Sequence, residues 1–398
     1  MTASPALHSD VVDTFSLFRG GVVYRLERSL KLVVDRRSAV RSRILLAIAI
    51  TWLPLLILTI LSGTAWGDRV RIPFLFDFSA NVRFLVTLPF LILAQLVIHD
   101  RTKSAVSRFV ESGLVTSAEL PAYEGVLRGV GRLRDSIPVT IVLLILAIVP
   151  SVLVLNPDAR SGLSTWRGPI RFGNVGDSPA GFYAALISIP LYRLMLLRWF
   201  WLGIAWTIFL RRATKLPLHC RPAHPDCAGG LGFLGRTQMF FGLITFAISA
   251  VTAGAFANQI TYEGSSIGAL KFEMLAFCVI AVLLSVTPLL MISPRLLEVE
   301  ERGLRDYHKL GMDYTTGFDR KWIRHEGPGD EPLLGSSDIQ SLADLANSYT
   351  VVKNMRLVLV DRQTLIGLAV PPLLPMLVLM ATATPKDQLM KVALRVLG

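Results

Sequence analysis

Seven apolar stretches of the sequence are each close to the length needed to cross a bilayer, and they limit the possible folds more than any other feature. A helix needs about 20 apolar residues to cross about 30 Å of hydrocarbon. Lipid offers backbone groups no hydrogen-bond partner, so such stretches fold as helices. The sequence therefore predicts an all-α, polytopic membrane protein with about seven transmembrane helices and cytoplasmic helical extensions. The predicted spans are 44–63, 84–98, 137–155, 182–210, 238–257, 272–292 and 365–384.

The composition agrees with a membrane protein. Hydrophobic residues make up 52% of the 398 residues, above the roughly 45–50% apolar share of soluble domains. The first apolar run begins at Ile44 and is longer than the roughly 7–15 apolar residues of a signal peptide, so we expect it to remain as an anchor. The three cysteines, Cys220, Cys227 and Cys278, fall in a loop and a span, and they predict no disulfide framework.

Lysine and arginine are concentrated in alternate segments of the chain. Segments 19–43, 99–136, 211–237 and 293–364 hold 29 of the 41 Lys and Arg residues. Short loops rich in these residues remain cytoplasmic, so the N-terminus is expected inside and the C-terminus outside. The net charge of +12 predicts contact of the inner face with anionic lipids. No base-reading motif is present, so no nucleic-acid partner is expected.

These patterns divide the chain into four parts. Residues 1–43 form a cytoplasmic, basic, amphipathic N-terminal segment, in which 13–36 is predicted to be a helix on the inner leaflet; a plain basic flank is the alternative. Residues 44–292 form a six-span membrane domain with an inner helical loop at 99–136 and a His-Pro-Asp and glycine-rich loop at 211–237. Residues 293–364 are a cytoplasmic helical segment, and 365–398 are the seventh span with a short outer tail.

The two longer cytoplasmic segments have their own predicted helices. Loop 99–136 is expected to hold two short helices separated near residues 113–114. Segment 293–364 is expected to hold two long helices joined by a linker rich in glycine and proline. The second of these begins at a capping box, S-x-x-Q, from Ser337 to Gln340. It is expected to lead through Asp361 into the seventh span.

Two arginines, Arg193 and Arg198, lie within the fourth apolar run. A charge at membrane depth is costly and by default suggests a functional site. Five residues place the two side chains about 140° apart on a helix, so at most one faces a given pocket. The predicted spans contain no aspartate and one glutamate, Glu273. A buried arginine would therefore need Glu273, backbone carbonyls, water or a bound anion. The alternative to an anion or lipid-phosphate site is an interfacial arginine between tryptophans.

The loop after the fourth span reads HCRPAHPDCAGGLGFLG from His219. Its Cys-x3-His-x2-Cys spacing offers ligands that zinc accepts, but the spacing is not a standard one, so His219, Cys220, His224 and Cys227 are only weak metal candidates. We favour a fixed turn in which the Asp226 side chain bonds nearby amides. Gly229 and Gly230 would supply unusual backbone angles or an anion nest. The candidate ligand- or anion-binding residues are Arg193, Arg198, His224, Asp226, Gly229 and Gly230. No metal site, cofactor or catalytic residue is predicted.

The segment LRWFWLGIAWTIFLRRATKLPLHCRPAHPDCAGGLGFLG and the later EPLLGSSDIQSLADLANSYTVVKNMR resemble a group of uncharacterised bacterial multi-pass inner-membrane proteins. The central pattern is HPDxAGGLGFL, from His224 to Leu234. The resemblance implies a location in the bacterial cytoplasmic membrane. The cysteines are not part of this pattern, and no activity accompanies it.

Two functions of different classes remain open. The first is binding or permeation of a small anion or ligand by an oligomer of this chain. The second is a membrane scaffold or assembly factor of an envelope system, which binds lipid or a protein partner at its basic inner face. An enzyme ranks third, behind these two, because the sequence contains no nucleophile elbow, Ser-His-Asp order or metalloprotease helix.

Overall fold

The chain folds into an all-α membrane protein, as the apolar runs predict. The computed structural model describes residues 9–18, 20, 37–153, 164–168, 178–326 and 336–383. Within these residues there is no β-strand, and the sole bridge pairs Ile72 with Thr165. Among the described residues, seven helices are long and apolar enough to cross a membrane. They are Val40–Leu61, Phe78–Glu111, Leu120–Ser151, Pro179–Ala213, Phe233–Tyr262, Ile267–Leu290 and Arg362–Ala383, here called the first to seventh spans.

Four spans have 30 residues or more, whereas about 20 residues cross the hydrocarbon, so we expect them to extend beyond it on one side of the membrane. We call this side, which carries loops 99–136, 211–237 and 293–364, the basic side, and the other the opposite side. Loop 99–136 differs from the prediction. Its first helix is the continuation of the second span, and the separate helix, Leu120–Arg134, leads into Ile137–Leu153. The second span continues because Phe109 and its apolar neighbours are buried against the protein.

The N-terminal residues that are described pack into the protein. Asp10–Thr14 is a short helix capped by the Ser9 side chain. Phe15 then stacks on Phe209 with ring centroids 6.3 Å apart, and Phe18 meets Trp199 edge to face at 5.2 Å. This part of the chain is therefore buried, where the sequence predicted a helix on the leaflet surface. Most of the predicted 13–36 helix, at 21–36, and the tail after residue 383 lie outside the described residues.

The fifth span is the centre of the bundle. Half of the residues in its most apolar stretch are buried inside the protein, against 6% for the third span. The third span is therefore peripheral. The fifth and seventh spans approach closely where glycines face each other. A Cβ atom on Gly242 would lie 2.4 Å from the carbonyl oxygen of Gly367. Ser249 also donates a hydrogen bond to the carbonyl of Pro372 in the seventh span.

On the basic side, a cluster of aromatic side chains forms the core between the second span, the helix Leu120–Arg134 (the loop helix), the fourth span and the fifth span. Its fully buried members include Phe109, Tyr123, Trp206 and Phe209. The Tyr123 hydroxyl donates to the carbonyl of Val106, so its polar group is satisfied. This core anchors the segment that leads from the fourth span into the glycine-rich loop.

Segment 293–364 contains the two predicted helices, Ser293–Phe318 and Ser337–Lys353, which pack side by side as a hairpin. The helix cap is one residue earlier than predicted, because the Ser336 hydroxyl accepts the Asp338 amide. The second helix ends at Lys353, so the predicted continuous passage into the seventh span is wrong. A non-helical segment intervenes, and Asp361 then caps the seventh span by accepting the Thr364 amide at 2.7 Å.

Candidate functional site

The two arginines of the fourth span are held by oxygen atoms of the protein itself. Arg193 donates to the Ala147 carbonyl at 3.1 Å and to the Ser151 hydroxyl at 3.0 Å, both on the third span. Arg198 donates to the carbonyl of Phe18 at 3.4 Å. They point toward different neighbours, as helix geometry predicts. The structure does not bring either of them to the glycine-rich loop.

Asp226 organises that loop through its side chain. One carboxylate oxygen accepts the amides of Ala228 at 2.9 Å and Gly230 at 3.1 Å, and the other accepts the amide of Gly232 at 2.9 Å. The prediction that Asp226 bonds nearby amides is confirmed. Burial alone would raise the pKa of Asp226, but these amides and His224 outweigh it and hold the pKa below its ordinary value.

His224 lies against the same carboxylate. Its Nδ1 atom is 2.8 Å from Oδ1 of Asp226 and 3.2 Å from the Asp226 amide nitrogen. With a proton on Nδ1 the ring donates to the carboxylate, and without one it accepts the amide. In both states the imidazole braces the turn, so it acts as a positioning residue.

Gly229 and Gly230 both have left-handed backbone angles, with φ of +63° and +92°. A Cβ atom on Gly229 would also lie 3.3 Å from Cys220 Cβ. The predicted need for glycine is therefore confirmed at these positions. The Gly230 amide points at Asp226, so the nest that could have held a free anion is filled by the chain's own carboxylate.

Arg356 joins the loop to the entry of the seventh span. Its backbone amide donates to the Cys227 carbonyl at 2.7 Å. Its guanidinium donates to the Asp226 carbonyl at 2.7 Å and lies 3.4 Å from a carboxylate oxygen of Asp361. The Thr364 amide and Arg356 together hold the pKa of Asp361 below its ordinary value. Two segments far apart in sequence are therefore joined at one junction.

A cleft of about 480 Å³ opens at this junction on the basic side. Both of its carboxylates are already occupied by donors of the protein, as described above. Arg236 is exposed, and within the described part of the chain it has no hydrogen bond or ion pair. The cleft is lined by Pro225, Asp226, Cys227, Gly232, Arg236, Asn354, Arg356, Asp361 and Gln363. We call it the junction cleft.

The cysteines and His219 do not converge. His219 Nε2 lies 3.4 Å from Glu119, while Cys220 packs over Gly229 and burial raises the pKa of its thiol. Cys227 has a left-handed φ of 49° and lines the junction cleft. Among the described residues, no three His, Cys, Asp or Glu side chains are arranged to hold a metal ion.

Sequence reasoning missed most of the junction cleft. It identified Asp226, but Arg236, Asn354, Arg356 and Gln363 carry no motif. The one usable signal was the position of Arg236 directly after the glycine-rich run. Nothing in the sequence indicated that residues 354–363 pack against that run.

A second polar cluster, near the opposite side, was also missed. Asp77 is only 4% exposed and lies just before the second span. Its carboxylate accepts Trp166 Nε1 and Asn258 Nδ2, each at 2.9 Å. It also accepts the Ala80 amide and pairs with Arg167 at 3.3 Å. All of its capacity is used to tie together three segments, so its role is structural.

Comparison with known proteins gives no relative. No family model matches the chain, and neither a curated protein nor a solved structure shows significant similarity to it.

Proposed function

We propose that this protein binds a small ligand with an anionic group in the junction cleft, at the cytoplasmic face of a bacterial inner membrane. Arg236 carries the proposal, because it is an exposed guanidinium at the cleft that forms no ion pair with any described residue. We also propose that the chain belongs to the uncharacterised family with the HPDxAGGLGFL motif and that it forms an oligomer.

The chemistry of the lining supports an anion with further polar groups. Guanidinium presents a planar fork of donors that matches carboxylate and phosphate oxygens. The side-chain amides of Asn354 and Gln363 also line the cleft, and among the described residues neither makes a hydrogen bond. These amides offer both donors and acceptors. A ligand such as a small carboxylate or phosphate ester uses all three side chains.

Arg193 and Arg198 do not belong to this binding site. Each donates to carbonyl or hydroxyl oxygens of the protein, so a bound anion is not needed as its hydrogen-bond partner. The proposal therefore moves the anion-binding role from these arginines to Arg236. It keeps His224, Asp226, Gly229 and Gly230 as the residues that shape one wall.

The test is a ligand titration of the purified protein in detergent. Inorganic phosphate, acetate and a nucleoside monophosphate are added at constant ionic strength, and the melting temperature is measured. A ligand that binds the folded state alone stabilises it by about 2.7 kcal/mol at 100 times its Kd. We expect at least one probe to raise the melting temperature and Arg236→Gln to raise its half-saturating concentration about tenfold.

Arg221→Gln is the matched control, because Arg221 is exposed in the same loop but does not line the cleft. It should leave the titration unchanged. Failure of all three anions to stabilise the wild type, or equal responses of the wild type and Arg236→Gln, would refute the proposal.

The scaffold function is a second candidate, and the cytoplasmic hairpin favours it. Leu310 and Met312 on its first helix are 51% and 56% exposed, and Ile323 is 65% exposed. A contiguous exposed apolar surface marks a protein-binding site. Leu310 and Met312 point about 160° apart on the helix, so both sides are changed in the test. Affinity capture with Leu310→Glu/Met312→Glu compared with the wild type tests it. A stable partner lost specifically in the double variant supports a scaffold, and identical captured proteins argue against it.

A further inference from the structure

We propose that a phospholipid of the basic-side leaflet binds in a groove between the fourth, fifth and sixth spans. One acyl chain fills the groove, and the lipid phosphate contacts Arg211. This site is separate from the junction cleft and does not depend on the function proposed for that cleft.

The groove lies in the halves of the three spans nearest the basic side. It has a volume of about 390 Å³, within the roughly 300–1,000 Å³ of ordinary ligand sites. Phe200 and Ile204 of the fourth span and Ile280 and Leu284 of the sixth span line it. Each of these four side chains is exposed. The groove therefore opens into the hydrocarbon of the bilayer.

Three polar residues of the groove, Gln238, Thr245 and Ser285, already make hydrogen bonds inside the protein. Gln238 accepts the Trp206 indole N–H at 3.0 Å and donates to the Ser285 carbonyl at 2.8 Å. The Ser285 and Thr245 hydroxyls donate to carbonyls of their own helices. The groove hydroxyls of Ser285 and Thr245 and the Gln238 side chain thus already hydrogen-bond within the described protein. The ligand that fits such a lining is a hydrocarbon chain, because a polar ligand group without a partner in the groove would lose its hydrogen bonds with water.

Gly203 deepens the groove. It lines the wall formed by the fourth span, and a Cβ atom built on it would meet no heavy atom within 4 Å. The glycine therefore borders open space, in contrast to Gly242, where a neighbouring helix leaves no room. A larger side chain at position 203 would occupy the groove without displacing a neighbouring span.

Arg211 does not line the groove but lies beyond it on the basic side, on the same face of the fourth span. At 100° per residue it is within about 20° of Phe200 and Ile204 around the helix, and it is about 10 Å beyond Ile204 along the axis. It is exposed in the last turn and has no ion pair in the described part of the protein. The anion at this depth of a bilayer is the lipid phosphate. An arginine above an apolar groove thus matches a phospholipid, in which an anionic phosphate lies above apolar acyl chains.

Arg212, the next residue, has a different environment. One of its guanidinium nitrogens lies 2.9 Å from the position of a Cβ atom on Gly129 of the loop helix. It therefore packs over the protein, while Arg211 lies on the lipid-facing side of the same helix turn. Both share the helix end and the basic side, so comparing them separates a specific lipid contact from a general effect of positive charge.

The experiment uses the purified full chain, stripped of lipid in detergent and titrated with phosphatidylglycerol. Native mass spectrometry counts bound lipid and gives its Kd. We expect one tight lipid on the wild type. Gly203→Phe should abolish it, and Arg211→Gln should weaken it about tenfold. Arg212→Gln should change the Kd less than twofold. Gly125→Phe should also keep the lipid, because Gly125 borders open space on the loop helix.

Three outcomes would overturn the proposal. They are unchanged lipid binding by Gly203→Phe, equal losses in Arg211→Gln and Arg212→Gln, and displacement of the lipid by inorganic phosphate alone. If Gly203→Phe does not fold, Ile280→Trp fills the groove from the lipid-exposed sixth span and serves the same purpose. Anion titration of the junction cleft in the groove variants should match the wild type, which keeps this result distinct from the test of the proposed function.

Discussion

At the scale of single residues, the Asp226 carboxylate binds the amides of the glycine-rich loop. The sequence pattern had first suggested metal ligands or a bound anion there. Three amides converge on its carboxylate, and its own carbonyl accepts from Arg356. A carboxylate with several backbone donors is stabilised in its charged form. The HPDxAGGLG pattern therefore encodes a turn closed by its own aspartate, in which aspartate and glycines are needed together.

The first prediction concerns this carboxylate. In Asp226→Asn one acceptor oxygen becomes an NH2 group, which cannot accept the amides that point at it. We expect the free energy of unfolding to fall by about 1–3 kcal/mol, measured as a lower melting temperature in detergent. Asp313→Asn is the control, since Asp313 is exposed and should change stability little. Equal melting temperatures of the two variants would contradict the prediction.

The second prediction concerns pH. Because the pKa of Asp226 is lower in the folded protein than its ordinary 3.8, its stabilising effect is complete above that value. The effect is lost as the pH falls below about 4 through the folded pKa. Asp226→Asn lacks the effect at every pH. The difference in melting temperature between wild type and variant should therefore shrink between pH 5 and pH 3, and a constant difference would be evidence against this linkage.

At the scale of elements, the sequence predicted the number and order of the spans, because long apolar runs have one stable conformation in lipid. It was less accurate where helices leave the hydrocarbon. The second span was predicted at 84–98 but is Phe78–Glu111, since Asp100, Arg101 and Lys103 interrupt the apolar run without ending the helix. Residues 354–361 were predicted as helix, but contacts with the distant Cys227 carbonyl override the local pattern.

The third prediction compares two glycines in the spans. A Cβ atom on Gly242 would lie 2.4 Å from a backbone oxygen of the seventh span, whereas one on Gly203 would meet nothing. Gly242→Ala should therefore push the two spans apart and lower the melting temperature by several degrees. Gly203→Ala should be neutral or slightly stabilising, because alanine favours helix by up to about 1 kcal/mol over glycine. Thermal unfolding in detergent measures both, and the reverse order would contradict the packing.

At the scale of the whole molecule, the loops that carry most of the Lys and Arg residues all project from the same side of the seven-span bundle. The junction cleft and the hairpin lie on that side, and the Asp77 network lies near the other. This arrangement places the proposed ligand site and the basic surface in the same compartment.

The fourth prediction follows from this arrangement. In a variant with its three native cysteines changed to serine, Ser341→Cys on the hairpin should resist a membrane-impermeant maleimide in intact host cells and react after lysis. Glu263→Cys, in the exposed turn between the fifth and sixth spans, should react in intact cells. The opposite pattern would reverse the predicted orientation.

The hydrogen bond from Arg356 to the Asp226 carbonyl joins residues 130 positions apart, and this has a consequence for how the protein is made. Chains are synthesised from the N-terminus, so the glycine-rich loop is made before its partner Arg356. Two further spans and the hairpin are synthesised between them. The second wall of the junction cleft arrives only with the last span. The proposed ligand site is thus complete only at the end of membrane insertion, and a chain that stops before residue 354 has the turn but lacks the second wall of the cleft.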